Sequence, residues 1–255
     1  MNTAPVLFAD NLVPLLPGGG ASTAQRLTLE LPRGRLACLV GPQGAGKTLY
    51  LRALAAVDPP ATGRLVLNGR DTERLGRDAW RVLRCEVAFV GHSAPLLSVV
   101  DGLMNVMLPA LYHGLGTPAA MRDKALAILE RLGWEGDLTV LPAFLDEHQR
   151  RLLALARCLI LDPVLLFIDE PFRMTDTVTW KRLAAVFVDL VRNDGLTIIA
   201  VTHQLSFVRE HADLVLFIDA RGVRRYESWR DFAWDEDAGV KSFLEAAGYH
   251  IATVT

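Results

Sequence analysis

The sequence predicts an α/β fold: a mostly parallel sheet flanked by helices, with a helical subdomain inserted at about 98–161. Three observations carry this. Short, continuously apolar runs alternate with longer helical patterns, as strands covered on both faces require. One run passes through a glycine-rich turn into a helix, and a later one ends in two adjacent carboxylates. Mean hydropathy is +0.25, high for a chain without a long apolar segment, and a doubly covered sheet accounts for much of it.

The elements follow in order. Leu36 to Val40 is a buried strand bounded by Gly34 and Gly41. Thr48 to Val57 is helical and stops at Asp58-Pro59-Pro60. Leu65-Val66-Leu67 is a strand entering a tight turn at Asn68-Gly69, and Val87 to Val90 is another strand. Helical patterns run from about Val99 to Leu161, interrupted by Gly114, Gly116, Gly133 and Gly136. Val164 to Ile168, Thr197 to Val201 and Leu214 to Ile218 are three further strands separated by helices, and Pro14 to Gly20 is a loop. The main domain is read as 1–230. Residues 231–255 are read as a helical appendage, because Val240, Phe243 and Leu244 keep helical spacing.

Composition excludes several classes. A net charge of −2, with no Lys or Arg run longer than a pair, is not a nucleic-acid footprint. The first basic residue is Arg26, which does not fit the charged start of a secretory signal. The best candidate for a membrane span, Leu152 to Ile168, is cut by Arg157, Asp162 and Pro163. Cys38, Cys85 and Cys158 are scattered without metal-ligand spacing and read as reduced cytosolic thiols.

Gly41-Pro42-Gln43-Gly44-Ala45-Gly46-Lys47-Thr48 follows the first strong strand and opens a helix. Glycines let successive backbone N–H groups converge on phosphates, and the helix start adds partial positive charge. Lys47 is positioned to reach β- and γ-phosphates, and the Thr48 hydroxyl to ligate Mg²⁺. The ligand expected here is ATP with Mg²⁺.

Val164 to Ile168 runs into Asp169-Glu170-Pro171. Beside a phosphate loop, such a pair suits metal-assisted phosphoryl transfer: Asp169 holds Mg²⁺ through its water shell and Glu170 polarises the attacking water. Thr202-His203 ends another strand, and His203 is expected to contact the γ-phosphate.

With these motifs in place the chain resembles the ABC transporter ATPases, a family of P-loop NTPases, over nearly its whole length. The long helical insert between Lys47 and Asp169 fits, as does Leu155-Ala156-Arg157-Cys158-Leu159 before Asp162-Pro163. Asp176 matches the Asp of the loop that crosses to the opposite subunit. The resemblance implies ATP hydrolysis coupled to transport, a head-to-tail dimer, and docking beneath integral-membrane permease subunits. It places the chain on the cytoplasmic face of the cell membrane.

The family pattern breaks in several places. Its LSGGQ signature falls on Leu145-Asp146-Glu147-His148-Gln149, where only the outer residues match. In the family this helix start clamps the γ-phosphate held by the other subunit. Asp146-x-x-Gln149 resembles a capping box instead. A carboxylate about 5 Å from a phosphate oxygen costs roughly 3 kcal/mol at an effective dielectric near 20, so the clamp is read as defective. His92 stands where the family has a Gln that contacts Mg²⁺. Imidazole is a poor Mg²⁺ ligand, and a solvent-facing loop residue is as good a reading as a signalling one. The aromatic that stacks adenine in the family is replaced by Leu15 and Leu16, and Arg173-Met174-Thr175 replaces a small-residue run.

Within the family, Asp237 to Leu244, together with Asn105-Val106 and Leu108-Pro109, resembles ATPases of phospholipid-trafficking systems, of the lipid-asymmetry and mammalian-cell-entry types. The intact phosphate loop beside a broken signature implies a second ATPase chain as partner, a heterodimer over a homodimer. The competing reading is a regulatory or structural ATP-binding subunit paired with an active ATPase chain.

Overall fold

The computed structural model describes residues 4–16, 25–93, 95–173 and 175–249 of the chain. Its central sheet has six strands in the order β10-β9-β3-β8-β7-β6. They are β3 (Leu36–Val40), β6 (Val87–Val90), β7 (Leu165–Asp169), β8 (Thr197–Val201), β9 (Leu214–Asp219) and β10 (Gly222–Tyr226). All neighbouring pairs are parallel except β9 with β10, a hairpin. Continuous apolar runs form these strands because both faces are covered. Cys38 and Val40 enter one core, while Ala37 and Leu39 enter another.

A second, antiparallel sheet in the order β2-β1-β4-β5 is built from β1 (Leu7–Pro14), β2 (Leu27–Leu31), β4 (Pro60–Leu67) and β5 (Arg70–Asp71). The expected turn at Asn68-Gly69 joins β4 to β5, and both residues have the positive φ that such two-residue hairpins need. The sheet closes one core over α1 (Lys47–Leu54), with Leu7, Leu29, Leu51 and Leu65 fully buried together. The α1 helix ends earlier than Val57, because Ala56 turns left-handed at φ 50 and Arg52 pairs with Asp58 beyond it. The expected loop Pro14 to Gly20 begins on the last residue of β1, and residues 17–20 lie outside the described residues.

After α2 (Arg77–Glu86), three helices lie within 98–161: α3 (Gly102–Tyr112), α4 (Pro118–Leu132) and α5 (Glu147–Leu159). Gly133 caps α4 in the left-handed conformation. Asn105, fully buried on α3, fixes the preceding loop by donating to the carbonyls of Leu97, Val100 and Asp101 and accepting from the Leu97 N–H. Then α6 (Thr177–Arg192) and α7 (Leu205–His211) alternate with the last parallel strands.

The C-terminal region, read in the sequence as a helical appendage from 231, is helical. A boundary at 231 cuts α8 (Trp229–Ala233), and α9 (Ala238–Ala246) follows it. Phe232, Val240 and Leu244 are buried in the same core as Phe217 of β9, with the Phe232 ring centroid 5.6 Å from that of Phe217. Residues 250–255 lie outside the described residues.

Candidate functional site

The phosphate loop leaves β3 with Gly41 at φ 145, and a Cβ there would stand 2.0 Å from the Ile218 carbonyl oxygen. Only glycine lets the loop pass so close to β9. Gly46, at φ 85, caps α1 and turns the chain into the helix. Lys47 is 6% exposed, and its Nζ donates to the carbonyls of Gly41 at 2.9 Å and Pro42 at 2.8 Å. The ammonium is thus held over its own loop, where incoming phosphate oxygens would replace neutral carbonyls with charged acceptors. Burial lowers its pKa, partly offset by Glu170 and Asp169.

Asp169, at the end of β7, is buried and accepts from the Thr48 hydroxyl through Oδ2 at 3.0 Å. Its Oδ1 is buried without a hydrogen-bond partner. A buried carboxylate oxygen left open beside a hydroxyl is what a hard, oxygen-seeking cation completes. Among the described residues no group of three or more His, Cys, Asp or Glu could hold a metal. Mg²⁺ takes one or two protein ligands and fills its shell with water and phosphate oxygens. Thr48 and Asp169 fit such an ion.

Glu170 follows in the left-handed region, at φ 51. Burial pushes its carboxyl up to about 7, with the Asp169 charge adding to the rise while the His203 N–H, Lys47 and Arg151 oppose it. His203 Nε2 is 3.3 Å from Glu170 Oε1, and its backbone N–H donates to Oε2 at 3.4 Å. Burial, and after it nearby Lys47, lowers the imidazole's pKa, against an opposing effect of Asp169.

These groups line one cleft of about 320 Å³, formed by the phosphate loop, Asp169, Glu170, Val201, His203 and His92. A second cleft, of about 700 Å³, adjoins the other side of the loop, with Leu16, Tyr50, Arg221 and Gly239 among its walls. Its volume suits a base and ribose. Leu16 is where the sequence replaces an aromatic, and the contribution of Arg221 and of Gly239 on α9 was not legible in the sequence.

His92 is exposed on the loop after β6, and both its ring nitrogens face Nη1 of Arg173. A guanidinium against the imidazole argues against His92 as a Mg²⁺ ligand. Met174 lies outside the described residues. Asp176 caps α6, accepting from the N–H groups of Val178 and Thr179.

At the start of α5 the capping box expected from Asp146-x-x-Gln149 is present. Asp146 Oδ1 accepts from the Gln149 N–H at 2.8 Å, and Gln149 Oε1 accepts from the Asp146 N–H at 3.1 Å. Glu147 reaches back to Arg151 at 3.6 Å. The Asp146 and Gln149 N–H groups at the helix start are therefore satisfied locally. Sequence reasoning missed Arg151, which is 9% exposed and donates to the carbonyls of Glu170 and His92. Nothing but its burial separates it from its neighbour Arg150 in the sequence.

A family model for the ABC transporter matches residues 24–173. The chain belongs to the ABC transporter family, as an ATP-binding domain. It is 30% identical over 230 residues to a methionine import ATP-binding protein of Brucella abortus, covering 89% of this chain and 62% of the relative. The corresponding protein of Mesorhizobium japonicum is 32% identical, with 86% of this chain and 60% of the relative covered. The chain thus spans about three fifths of these relatives' length. Among solved structures, the dimeric bacterial ABC transporter cassette MJ0796 superposes with a TM-score of 0.79 at 23% identity, covering 87% of this chain and 98% of that one. An ATP-binding subunit of an ABC transporter superposes equally well, at 0.79 and 19% identity, covering 95% and 99%. At these identities the superpositions bear on the fold, which is that of an ABC cassette.

Proposed function

We propose that this chain binds Mg²⁺·ATP between its phosphate loop and Asp169, and hydrolyses it as the ATPase subunit of a membrane transporter. The observation that carries the reading is the open Asp169 Oδ1 beside the Thr48 hydroxyl, with Lys47 and Glu170 facing the same cleft. In this reading Lys47 holds β- and γ-phosphate oxygens, and Thr48 and Asp169 would hold a Mg²⁺ ion that would neutralise phosphate charge. Glu170 orients and polarises water, and His203 contacts the γ-phosphate while holding Glu170 in place. The chain sits peripherally at the cytoplasmic face under permease subunits. Among the described residues no helix is long and apolar enough to cross a membrane.

The second reading rests on the start of α5. Asp146 and Glu147 put carboxylates where the resemblance places the opposite subunit's γ-phosphate, and the capping box has already taken the Asp146 and Gln149 N–H groups. A chain with a good phosphate loop and this helix start works best beside a different ATPase chain that supplies the missing clamp. Steady-state hydrolysis by the purified chain, with and without Glu170→Gln, tests the first reading. Native purification from membranes, with subunits counted by mass, tests the second.

The substrate reading shifts from the sequence. The two fragments behind the phospholipid expectation have local structural reasons: Asn105 fixes the loop before α3, and Asp237 caps α9 while pairing with Arg221 and Arg224. The relatives above are named for methionine import, so methionine is the first substrate to test, with phospholipid alongside.

A further inference from the structure

Two segments of the cleft meet at one buried side chain. Arg151, one turn into α5, extends its guanidinium beneath the site. Nη1 donates to the Glu170 carbonyl at 2.7 Å, and Nη2 to the His92 carbonyl at 2.9 Å. Nε is buried with no hydrogen-bond partner, and the Glu147 carboxylate stands 3.6 Å from it. A buried guanidinium that donates only to neutral carbonyls is a costly way to hold two loops. Its rigid fork fixes both carbonyls at once, which a flexible ammonium cannot do. One of those carbonyls belongs to Glu170, whose left-handed backbone needs its surroundings to hold it.

Glu147 occupies the exposed end of this connection. An anion approaching the start of α5 repels the Glu147 carboxylate, and the unpartnered Nε–H offers it a place to move. Closing that gap shifts the guanidinium, and with it the backbone on which Glu170 and His92 ride. We propose that Arg151 is a positioning residue that couples the start of α5 to Glu170 and the His92 loop, with Glu147 as its lever. This rests on the cleft being an ATP site. It gives Glu147 a task within its own subunit, apart from its failure as a clamp.

The test measures backbone hydrogen exchange in the full chain, with ATP affinity measured by titration on the same samples. In the parent, Mg²⁺·ATP should slow exchange at 41–48, 91–93 and 170–173 together. In Arg151→Gln, affinity should stay within about twofold and slowing at 41–48 should persist, while slowing at 91–93 falls about fivefold or more. Arg151→Lys, which restores charge and one donor, should recover about half of the lost slowing. Glu147→Gln should weaken coupling by about twofold, and adding it to Arg151→Gln should change nothing further.

Unchanged coupling at 91–93 in Arg151→Gln overturns the proposal. So does exchange that rises uniformly along the chain with a lowered melting temperature, since that marks a plain structural staple. If the parent binds no ATP, the functional reading fails by itself. The ligand-free comparison still decides: exchange must rise at 91–93 and 170–173 in Arg151→Gln and stay constant within α5, and a flat result there sinks the coupling.

Discussion

The phosphate cleft and the start of α5 are built on opposite principles. In the cleft, groups are left open: Asp169 Oδ1 lacks a partner, Lys47 rests on neutral carbonyls, and Glu170 is held near neutrality by burial. At the start of α5, the Asp146 and Gln149 N–H groups are already taken by the reciprocal Asp146–Gln149 pair. Open, preorganised polar groups mark a place where a ligand completes the structure. A helix start that caps itself stabilises its own fold and offers little to a second subunit's nucleotide. Under the proposed function, the contrast separates the part of the chain that holds ATP from the part that faces a partner.

The largest effect expected inside the cleft comes from Lys47→Ala. Two charge-assisted contacts to phosphate, at about 1.5–3 kcal/mol each, correspond to on the order of a hundredfold or more in ATP affinity. An ATP titration of the variant that matches the parent would remove Lys47, and the cleft with it, from the account.

At the start of α5 the expected gain is smaller. Replacing Asp146→Ser, Glu147→Gly and His148→Gly together removes both carboxylates, and relief of roughly 3 kcal/mol of repulsion leaves room for at least a tenfold rise in hydrolysis. In a self-paired chain the rise appears with the chain alone. In a mixed pair it appears only in the assembled complex. Ser can cap the helix as Asp does, but glycine at 147 and 148 should cost about 1 kcal/mol of stability, which a melting curve on the same variant detects. Flat hydrolysis in both settings, with the melt unchanged, would show that these charges do not limit closure.

A third comparison sets the cleft against the exposed apolar side chains before and along α3. Leu97 is 46% exposed and Val99 83% exposed, while Val106 and Met107 of the same region are buried. Leu97→Glu or Val99→Glu should release the chain from membrane fractions and leave ATP affinity within about twofold, because neither side chain supports the core. Retention on membranes would place the docking surface elsewhere.

The smallest effect is one of pH. The folded chain keeps the Glu170 proton up to about 7, whereas an unfolded Glu loses it near the ordinary value of 4.5. Stability linked to that proton is present below 4.5 and is lost as pH rises through about 7. Glu170→Gln, neutral throughout, should therefore melt about 2–4 °C above the ligand-free parent at pH 8, the shift that roughly 1 kcal/mol produces in a domain of this size. At pH 4 the two should melt together. Equal melting at both values would mean that the carboxylate is well solvated in the folded chain.

Much of this was legible in the sequence because the chemistry is local there. The strand–loop–helix sequence around Gly41–Thr48, the carboxylates closing β7 and the Asp146–Gln149 spacing each lie within a few residues. What was not legible depends on distant parts of the chain. The β1 strand departs from strict alternation where its register shifts between Ala9 and Leu12 around the left-handed Asn11, so the second sheet leaves only a weak periodic signal. The spacing of Val240 and Leu244 reveals a helix but not that it closes the β9 core and sets Gly239 beside the phosphate loop. Arg151 is one basic residue among several until burial and two carbonyls single it out.

The central claim is that the ATP-holding half is competent while the partner-facing half is not. It is tested most directly by measuring Mg²⁺·ATP affinity and steady-state hydrolysis in one preparation of the purified chain. The account predicts saturable ATP binding that Lys47→Ala abolishes, together with hydrolysis that is slow or undetectable. Robust turnover by the chain alone, abolished by Glu170→Gln, would contradict it by showing that the Asp146–Glu147 helix start clamps nucleotide after all.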